Sequence, residues 1–468
     1  MEQLPDDVVL QVFRLVGVDD LFTCRLVCKR FGALALHPAV WRHRSFDGPY
    51  YKFLIKDGPK KMCRLLRLAP RLASMTVSVK STPDHHLALY ASTRCAVRRL
   101  NLRVGEAGGV PAALIVRNQE ALGQLKIVEV TFYTTWADAA VLLGALASTS
   151  VEKLDVECFN LIGELSAGSM HTSVARPSLK YFKCLLSSKS QPFVDLVLAG
   201  HAASLEEVRL GDDDDHITIS TGLLPASMPK LRVLTCSLLP GMETLARSLR
   251  KVTLHVTPDM RPGVLGATEM LRRASKLRVL TLKYSPAARS PAYVGVDLVE
   301  ALGCSGRSAV EVLEINNDYE NERESEENDD GVEFLPQLQP LVRTLPFLPC
   351  LRYLELTVYV PPDELLLAIT PETLPVLRNL KLHPMRWLPA RCAHDWRHKD
   401  SVQTLLSVNP VLKFSVYTLP YCLKGQRESC GSCAQGCHNT LWEWDWEVEY
   451  DEDNDVTRLD YQEWIHIR

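Results

Sequence analysis

The sequence predicts an α/β fold: a small module of three helices, then a curved stack of repeated strand and helix units with parallel strands on the concave side and helices on the convex side. Two observations predict the stack. A six-residue pattern, apolar-x-x-apolar-x-apolar, occurs thirteen times, its first residue falling at Leu72, Val97, Leu125, Val151, Leu179, Leu205, Leu231, Leu249, Leu277, Val310, Leu351, Leu377 and Val411. Most steps between these starts are 25 to 28 residues, with one of 18 and insertions giving 33, 41 and 34. Stretches with apolar residues at helical spacing lie between them: Ala137 to Leu146, Phe193 to Ala199, Val264 to Arg273 and Asp363 to Ile369. The fourth and sixth pattern positions are two apart, so on a strand they share a side and enter a common core, as do Leu354 and Leu356. One strand and one helix cannot bury their own apolar face, so such units must stack.

Composition is consistent with this. Of 468 residues, 46% are hydrophobic and 23% charged, close to an average globular chain. The net charge of -3 hides a basic stretch from Lys52 to Arg103 and acidic ones at Asp318 to Asp330 and Glu443 to Asp455. The start, Met1-Glu2-Gln3-Leu4-Pro5, lacks the cationic and apolar order of a secretory signal, and no apolar run approaches the ~20 residues of a membrane span. The expected setting is cytoplasm, nucleus or both. The 14 Cys are mostly scattered, and apolar-flanked Cys184 and Cys236 read as free buried thiols.

The first 45 or so residues form helices from Leu4-Pro5-Asp6-Asp7 to about Val16, from about Asp20, and through Phe31, Leu34, Leu36, Val40 and Trp41. Proline at the first turn and early carboxylates suit a helix start. Val9, Val12, Phe13 and Val16 make one apolar stripe, and Val8, Leu10 and Leu15 lie off it. So small a module cannot cover two apolar faces, which points to a docking partner.

The string Leu4-Pro5-Asp6-Asp7-Val8-Val9-Leu10-Gln11-Val12-Phe13, then Asp20-Leu21, Arg25-Leu26-Val27-Cys28-Lys29-Arg30-Phe31 and Trp41 resembles an F-box, with Phe31 where many F-boxes carry Trp. The repeat from Leu72 to Tyr417 resembles the leucine-rich repeats of F-box proteins. The resemblance implies a domain order of F-box at 1–46, linker and cap helix at 47–70, about thirteen repeats at 71–420, and a Cys-rich loop with a capping hairpin at 421–468. It also implies binding to a Skp-type adaptor, and through it to cullin and RING subunits, by Leu4, Pro5, Val9, Leu10, Leu21, Val27, Cys28 and Trp41. The chain would then be the substrate-recognition subunit of an SCF ubiquitin ligase, bringing a protein target to ubiquitination and proteasomal degradation. The alternative is a repeat scaffold or inhibitor that holds a partner without degradation.

Residues alternating with core positions on each strand form the candidate reading face. They include Arg99, Arg103, Tyr181, Lys183, Arg209, Tyr353, Glu355, Lys381, His383 and Tyr417. Mixed charge with tyrosine suits a protein ligand and not nucleic acid, which favours a uniformly basic stripe. The chain carries no phosphate-binding glycine loop, serine nucleophile elbow or paired-histidine zinc helix, so no catalysis is expected. Acidic loops at Gly211 to His216 and Asp318 to Asp330 could steer a basic segment, or merely be solvated.

Cys422, Cys430, Cys433 and Cys437 crowd one segment, with a two-residue spacer between Cys430 and Cys433. Four thiolates could hold zinc or an iron–sulfur cluster, but the usual second close pair is absent, and free thiols in a glycine-rich loop are the simpler reading. No other cofactor is expected. Trp442, Trp444, Trp446, Val448 and Tyr450 alternate with Glu443, Asp445, Glu447 and Glu449, a half-buried strand forming a hairpin with one near Thr457 to Ile467.

Overall fold

The computed structural model describes residues 4–47, 64–79, 87–133, 139–158, 177–185, 191–211, 228–239, 241–256, 261–284, 296–304, 306, 308–317, 338–358, 362–384, 396, 398–418 and 463–467. The chain divides into two compact units, Met1–Leu231 and Arg232–Arg468.

The first unit opens with α1 (Asp6–Leu15), α2 (Val18–Cys24), α3 (Lys29–Ala35) and α4 (Pro38–Trp41). Four helices replace the expected three because Pro38 cannot continue α3 and starts a new turn instead. Side chains cap α3 and α4, and carboxylates favour the start of α1. Asp6 and Asp7 occupy the first turn of α1, Cys28 Sγ accepts from Phe31 N at 3.4 Å, and His37 Nδ1 accepts from Ala39 N at 3.2 Å.

Strands β1 (Ser45–Asp47), β2 (Arg71–Val79), β3 (Ala96–Val104), β4 (Ile127–Phe132), β5 (Lys153–Cys158), β6 (Tyr181–Leu185) and β7 (Glu207–Leu210) follow in chain order, each parallel to the next. Helices α5 (Leu87–Ser92), α6 (Gly109–Ala121), α7 (Ala139–Ala147) and α8 (Gln191–His201) connect them and pack on one another in sequence. The register places each repeat position opposite itself: Val128, Leu154, Phe182 and Val208 align, as do Val130, Val156, Cys184 and Leu210. All eight are essentially sealed from solvent. At about 1.5–3 kcal/mol per fully buried large apolar side chain, this column accounts for much of the drive to stack.

The second unit repeats the scheme with β8 (Val233–Ser237), β9 (Lys251–Val256), β10 (Val279–Tyr284), β11 (Val312–Asn317), β12 (Tyr353–Val358), β13 (Asn379–Pro384) and β14 (Lys413–Thr418), all parallel neighbours. Its helices are α9 (Arg261–Arg273), α10 (Val296–Cys304), α11 (Leu338–Thr344), α12 (Asp363–Ala368) and α13 (Asp400–Val408), each packed on the next. Gly263 lets α9 settle onto backbone, since a Cβ there would lie 2.2 Å from the Leu238 carbonyl oxygen. A final strand, β15 (Glu463–Ile467), pairs antiparallel with β14. The proposed Trp442 to Tyr450 strand lies outside the described residues, as do Cys422, Cys430, Cys433, Cys437 and nearly all of both acidic loops.

The thirteen-fold pattern holds at twelve starts, from Leu72 to Leu377, whose first apolar residue is buried. The thirteenth is a correction. Val411 is 63% exposed, and Leu412, turned inward by its N–H bond to the Asn409 carbonyl, takes the core place. Cys184 and Cys236 are buried free thiols as expected, burial pushing the Cys236 thiol up to about 12. Among the described residues no helix is long and apolar enough to cross a membrane.

Loops between repeats bury backbone groups that need partners. Gln119, fully buried, accepts from Val97 N at 2.9 Å and donates to the Cys95 carbonyl at 3.0 Å. His201 Nδ1 accepts from Ser178 N at 3.2 Å and Leu179 N at 3.4 Å, while the ring also hydrogen-bonds the Ala147 backbone. Burial lowers the His201 pKa, so the unfolded chain takes up a proton that the folded chain resists. Its contribution is therefore complete above the ordinary value of 6.5 and falls as pH drops below it. Stability of the protein is expected to decline from pH 7 towards pH 5 more steeply than in His201→Asn, measured by urea midpoints; parallel curves would rule this out.

Candidate functional site

The helical module has its own core. Phe13 of α1 meets Phe31 of α3 edge-on, centroids 5.4 Å apart, and Phe22 of α2 lies 5.7 Å from the Trp41 ring of α4. Trp41 has no exposure and its indole N–H donates to the Ala35 carbonyl at 2.7 Å. Arg30 ties α3 to the chain start, bonding Asp6 at 2.8 Å and the Leu4 carbonyl.

Arg44 joins the ends of two helices. Its guanidinium donates to the carbonyls of Phe13 at 2.9 Å and Val16 at 2.6 Å, satisfying the end of α1, and its Nε donates to Val40 at 3.1 Å. It also lies 5.6 Å from the Trp41 ring centre, and partial burial lowers its pKa. The next residues are β1, which adds to the sheet beside β2, with Ala73 N donating to the Arg44 carbonyl at 2.7 Å.

Apolar side chains remain outside this core. Leu4, Val12 and Leu15 are 38%, 43% and 90% exposed, and Leu26 and Val27 are 80% and 67% exposed. Val12 and Leu15 share one side of α1, whereas Val9 and Phe13 fill the other. A module with an exposed apolar stripe alongside a complete core is built for a second contact.

On the strand face of the first unit the charges interlock. Glu129 is 3.9 Å from Arg99 and 3.5 Å from Lys153; Lys183 pairs with Glu157; Arg209 pairs with Glu207 at 2.7 Å. Tyr181 lies between Lys153 and Arg209, 4.6 and 5.9 Å from its ring centre. Burial pushes the Asp155 carboxyl up despite Lys183, whose ammonium stands 3.9 Å from Oδ1, too far for a hydrogen bond.

The second unit holds a tighter group. Glu355 accepts from the Tyr353 hydroxyl and lies 2.7 Å from His383 Nε2, while Lys381 stands 5.5 Å over the Tyr353 ring. Burial pushes the Glu355 carboxyl up, but the His383 and Tyr353 hydrogen bonds outweigh it and hold the carboxyl below its usual range. Glu314 sits opposite Glu355 across the strands and accepts from Thr281 at 2.8 Å. These groups can present charge and hydrogen bonds to a ligand; among the described residues none forms a cluster able to hold a metal ion.

Comparison with family models decides the module. Residues 1–47 match the F-box-like family. The F-box-like segment thus includes α1 to α4 and all of β1. No curated protein matches the chain. Among solved structures it is similar to the yeast Rad7 and Elc1 complex, with TM-score 0.38 and 13% identity over 82% of this chain and 91% of that one. It is also similar to the TLR13–ssRNA13 complex, with TM-score 0.31 and 11% identity over 73% of this chain and 45% of that one.

The structure separates the expected adaptor-binding residues of the F-box-like segment into two groups. Leu4, Pro5, Val27 and Cys28 are exposed and Leu10 is half-buried. Val9, Leu21 and Trp41 are a correction: with 3%, 0% and 0% exposure they belong to the segment's interior. Leu26, which the sequence reading did not single out, and Val12, grouped there in one stripe with Val9, Phe13 and Val16, are both exposed. Of the reading-face residues, Tyr181 joins Lys183 and Arg209, and Tyr353 joins Glu355, Lys381 and His383. Arg99 and Arg103 stand together on β3, and Tyr417 is placed by backbone register opposite Trp464.

Proposed function

We propose that this chain is the substrate-recognition subunit of an SCF-type ubiquitin ligase. Its F-box-like segment docks on a Skp-type adaptor, and through it on cullin and RING subunits. The strand faces hold a protein target for ubiquitination and proteasomal degradation. The observation that carries this reading is the F-box-like match over residues 1–47, on a module that keeps apolar side chains outside its filled core. F-box proteins are generally adaptors without chemistry of their own. They work by raising the local concentration of a target beside a loaded conjugating enzyme.

Tagged protein is expected to co-purify with the adaptor and cullin, and Leu4→Ala with Pro5→Ala is expected to abolish this, because both residues are exposed at the start of α1. Unchanged recovery of the adaptor would reject the docking claim. Proteasome inhibition separates a receptor from a scaffold. Captured target accumulates for the first and stays level for the second.

A further inference from the structure

The second position of each repeat lies where the chain enters its strand, outside the core. In the first unit these positions read Ala73 and then Arg98, Lys126, Glu152, Lys180 and Glu206, the charged ones neighbours through backbone bonds such as Glu152 N to the Lys126 carbonyl at 2.8 Å. From Lys126 onward the signs alternate, and Glu152 pairs with both flanking lysines, 2.8 Å from Lys126 and 3.7 Å from Lys180. The Lys126 bond and charge hold its carboxyl below the usual range.

From β8 to β13 the same positions in the second unit read Arg232, Arg250, Arg278, Glu311, Arg352 and Arg378, joined by an equivalent backbone ladder that continues to Lys413 on β14. Every arginine in this row is exposed. The row's one ion pair among the described residues is Arg278 to Glu311, at 2.8 Å. The two rows occupy the same place in the same kind of ladder, so the fold does not demand arginine there. Adjacent like charges cost stability on a sheet and invite an opposing ligand.

We infer that this row binds an acidic segment of a target protein. Six strands about 4.8 Å apart make a row about 24 Å long, the span of about seven extended residues. Every cation in it is arginine, whose planar fork pairs carboxylates bidentately where lysine offers a point charge. The row is one side chain wide, and Tyr353 beside it is bonded to Glu355. Lys381 stands 5.5 Å over the Tyr353 ring, so among the described residues this aromatic is not a free platform of the kind on which single-stranded nucleic acid stacks. The inference rests on the proposed receptor role, since it names the chemistry of the captured segment.

The test is fluorescence anisotropy of the full chain with a labelled glutamate-rich peptide, its glutamine counterpart and a single-stranded oligonucleotide of equal charge. The acidic peptide is expected to bind at least tenfold more tightly than the glutamine peptide, and more weakly as salt rises. Arg250→Glu with Arg352→Glu should lose at least tenfold, while Lys126→Glu with Lys180→Glu should change binding less than twofold. Equal binding of both peptides, equal loss in both variants, or equal affinity for the oligonucleotide would each overturn the inference. Adaptor co-purification is scored on the same preparations. Its absence in the unaltered chain counts against the receptor role alone, and its retention in Arg250→Glu with Arg352→Glu shows that a binding loss is local.

Discussion

Trp41→Ala is expected to destabilise the F-box-like segment by about 3–5 kcal/mol, the range for removing a large buried aromatic. The ring has no exposure, lies 5.7 Å from Phe22 and 5.6 Å from the Arg44 guanidinium, and its N–H fills the Ala35 carbonyl. Alanine would leave a cavity and an unpaired buried carbonyl together. A module of 47 residues has little reserve, so α1 to α4 should lose hydrogen-exchange protection, and adaptor binding should disappear with them. Trp41→Phe keeps most of the apolar contact and should fall well short of that loss. An alanine variant within about 1 kcal/mol of the parent would show that Trp41 does not hold the module together.

Leu15→Asp with Leu26→Asp should produce the opposite pair of readouts. These side chains are 90% and 80% exposed, so a carboxylate at either costs the free protein little and the unfolding midpoint should stay within a degree or so. In an apolar interface each unpaired carboxylate is costly, and at about 2 kcal/mol apiece adaptor affinity should fall several-hundredfold. Quantitative co-purification together with a melting curve decides the matter. Loss of stability with the affinity would make these leucines structural, and loss of neither would move the docking surface elsewhere.

The repeat was legible because its frame is rigid: residues two apart on a strand must share a side, so Leu354 and Leu356 could be assigned inward without coordinates. The frame is not proof against local turns, which is why Leu412 displaced Val411. Helix α6 escaped notice because apolar residues surround it: Ile115 and Val116 are buried while Val110 and Leu114 are about half exposed, so no single stripe marks it. The exposed apolar positions of the F-box-like segment were half legible for a related reason. A motif identifies which residues recur, but a helix with two apolar stripes does not say which one faces inward. The strand-face pairings around Tyr181 and Glu355 depend on register between strands far apart in sequence, which no local pattern encodes. The arginine row was visible in the repeat all along, and only the ion-paired Lys126, Glu152 and Lys180 of the first unit make it stand out.

Strand β1 belongs at once to the matched F-box-like segment and to the sheet, where Ser45, Phe46 and Asp47 pair with Ser74, Met75 and Thr76. Under the proposed role, any rotation of the adaptor relative to the ligase is passed along that ladder into the first repeats without slack. The angle at which the early strands meet a target is then fixed by backbone hydrogen bonds. Such a receptor would mark only those target lysines that fall within a narrow arc, and the position of the modified lysine would report the geometry of three short strand residues.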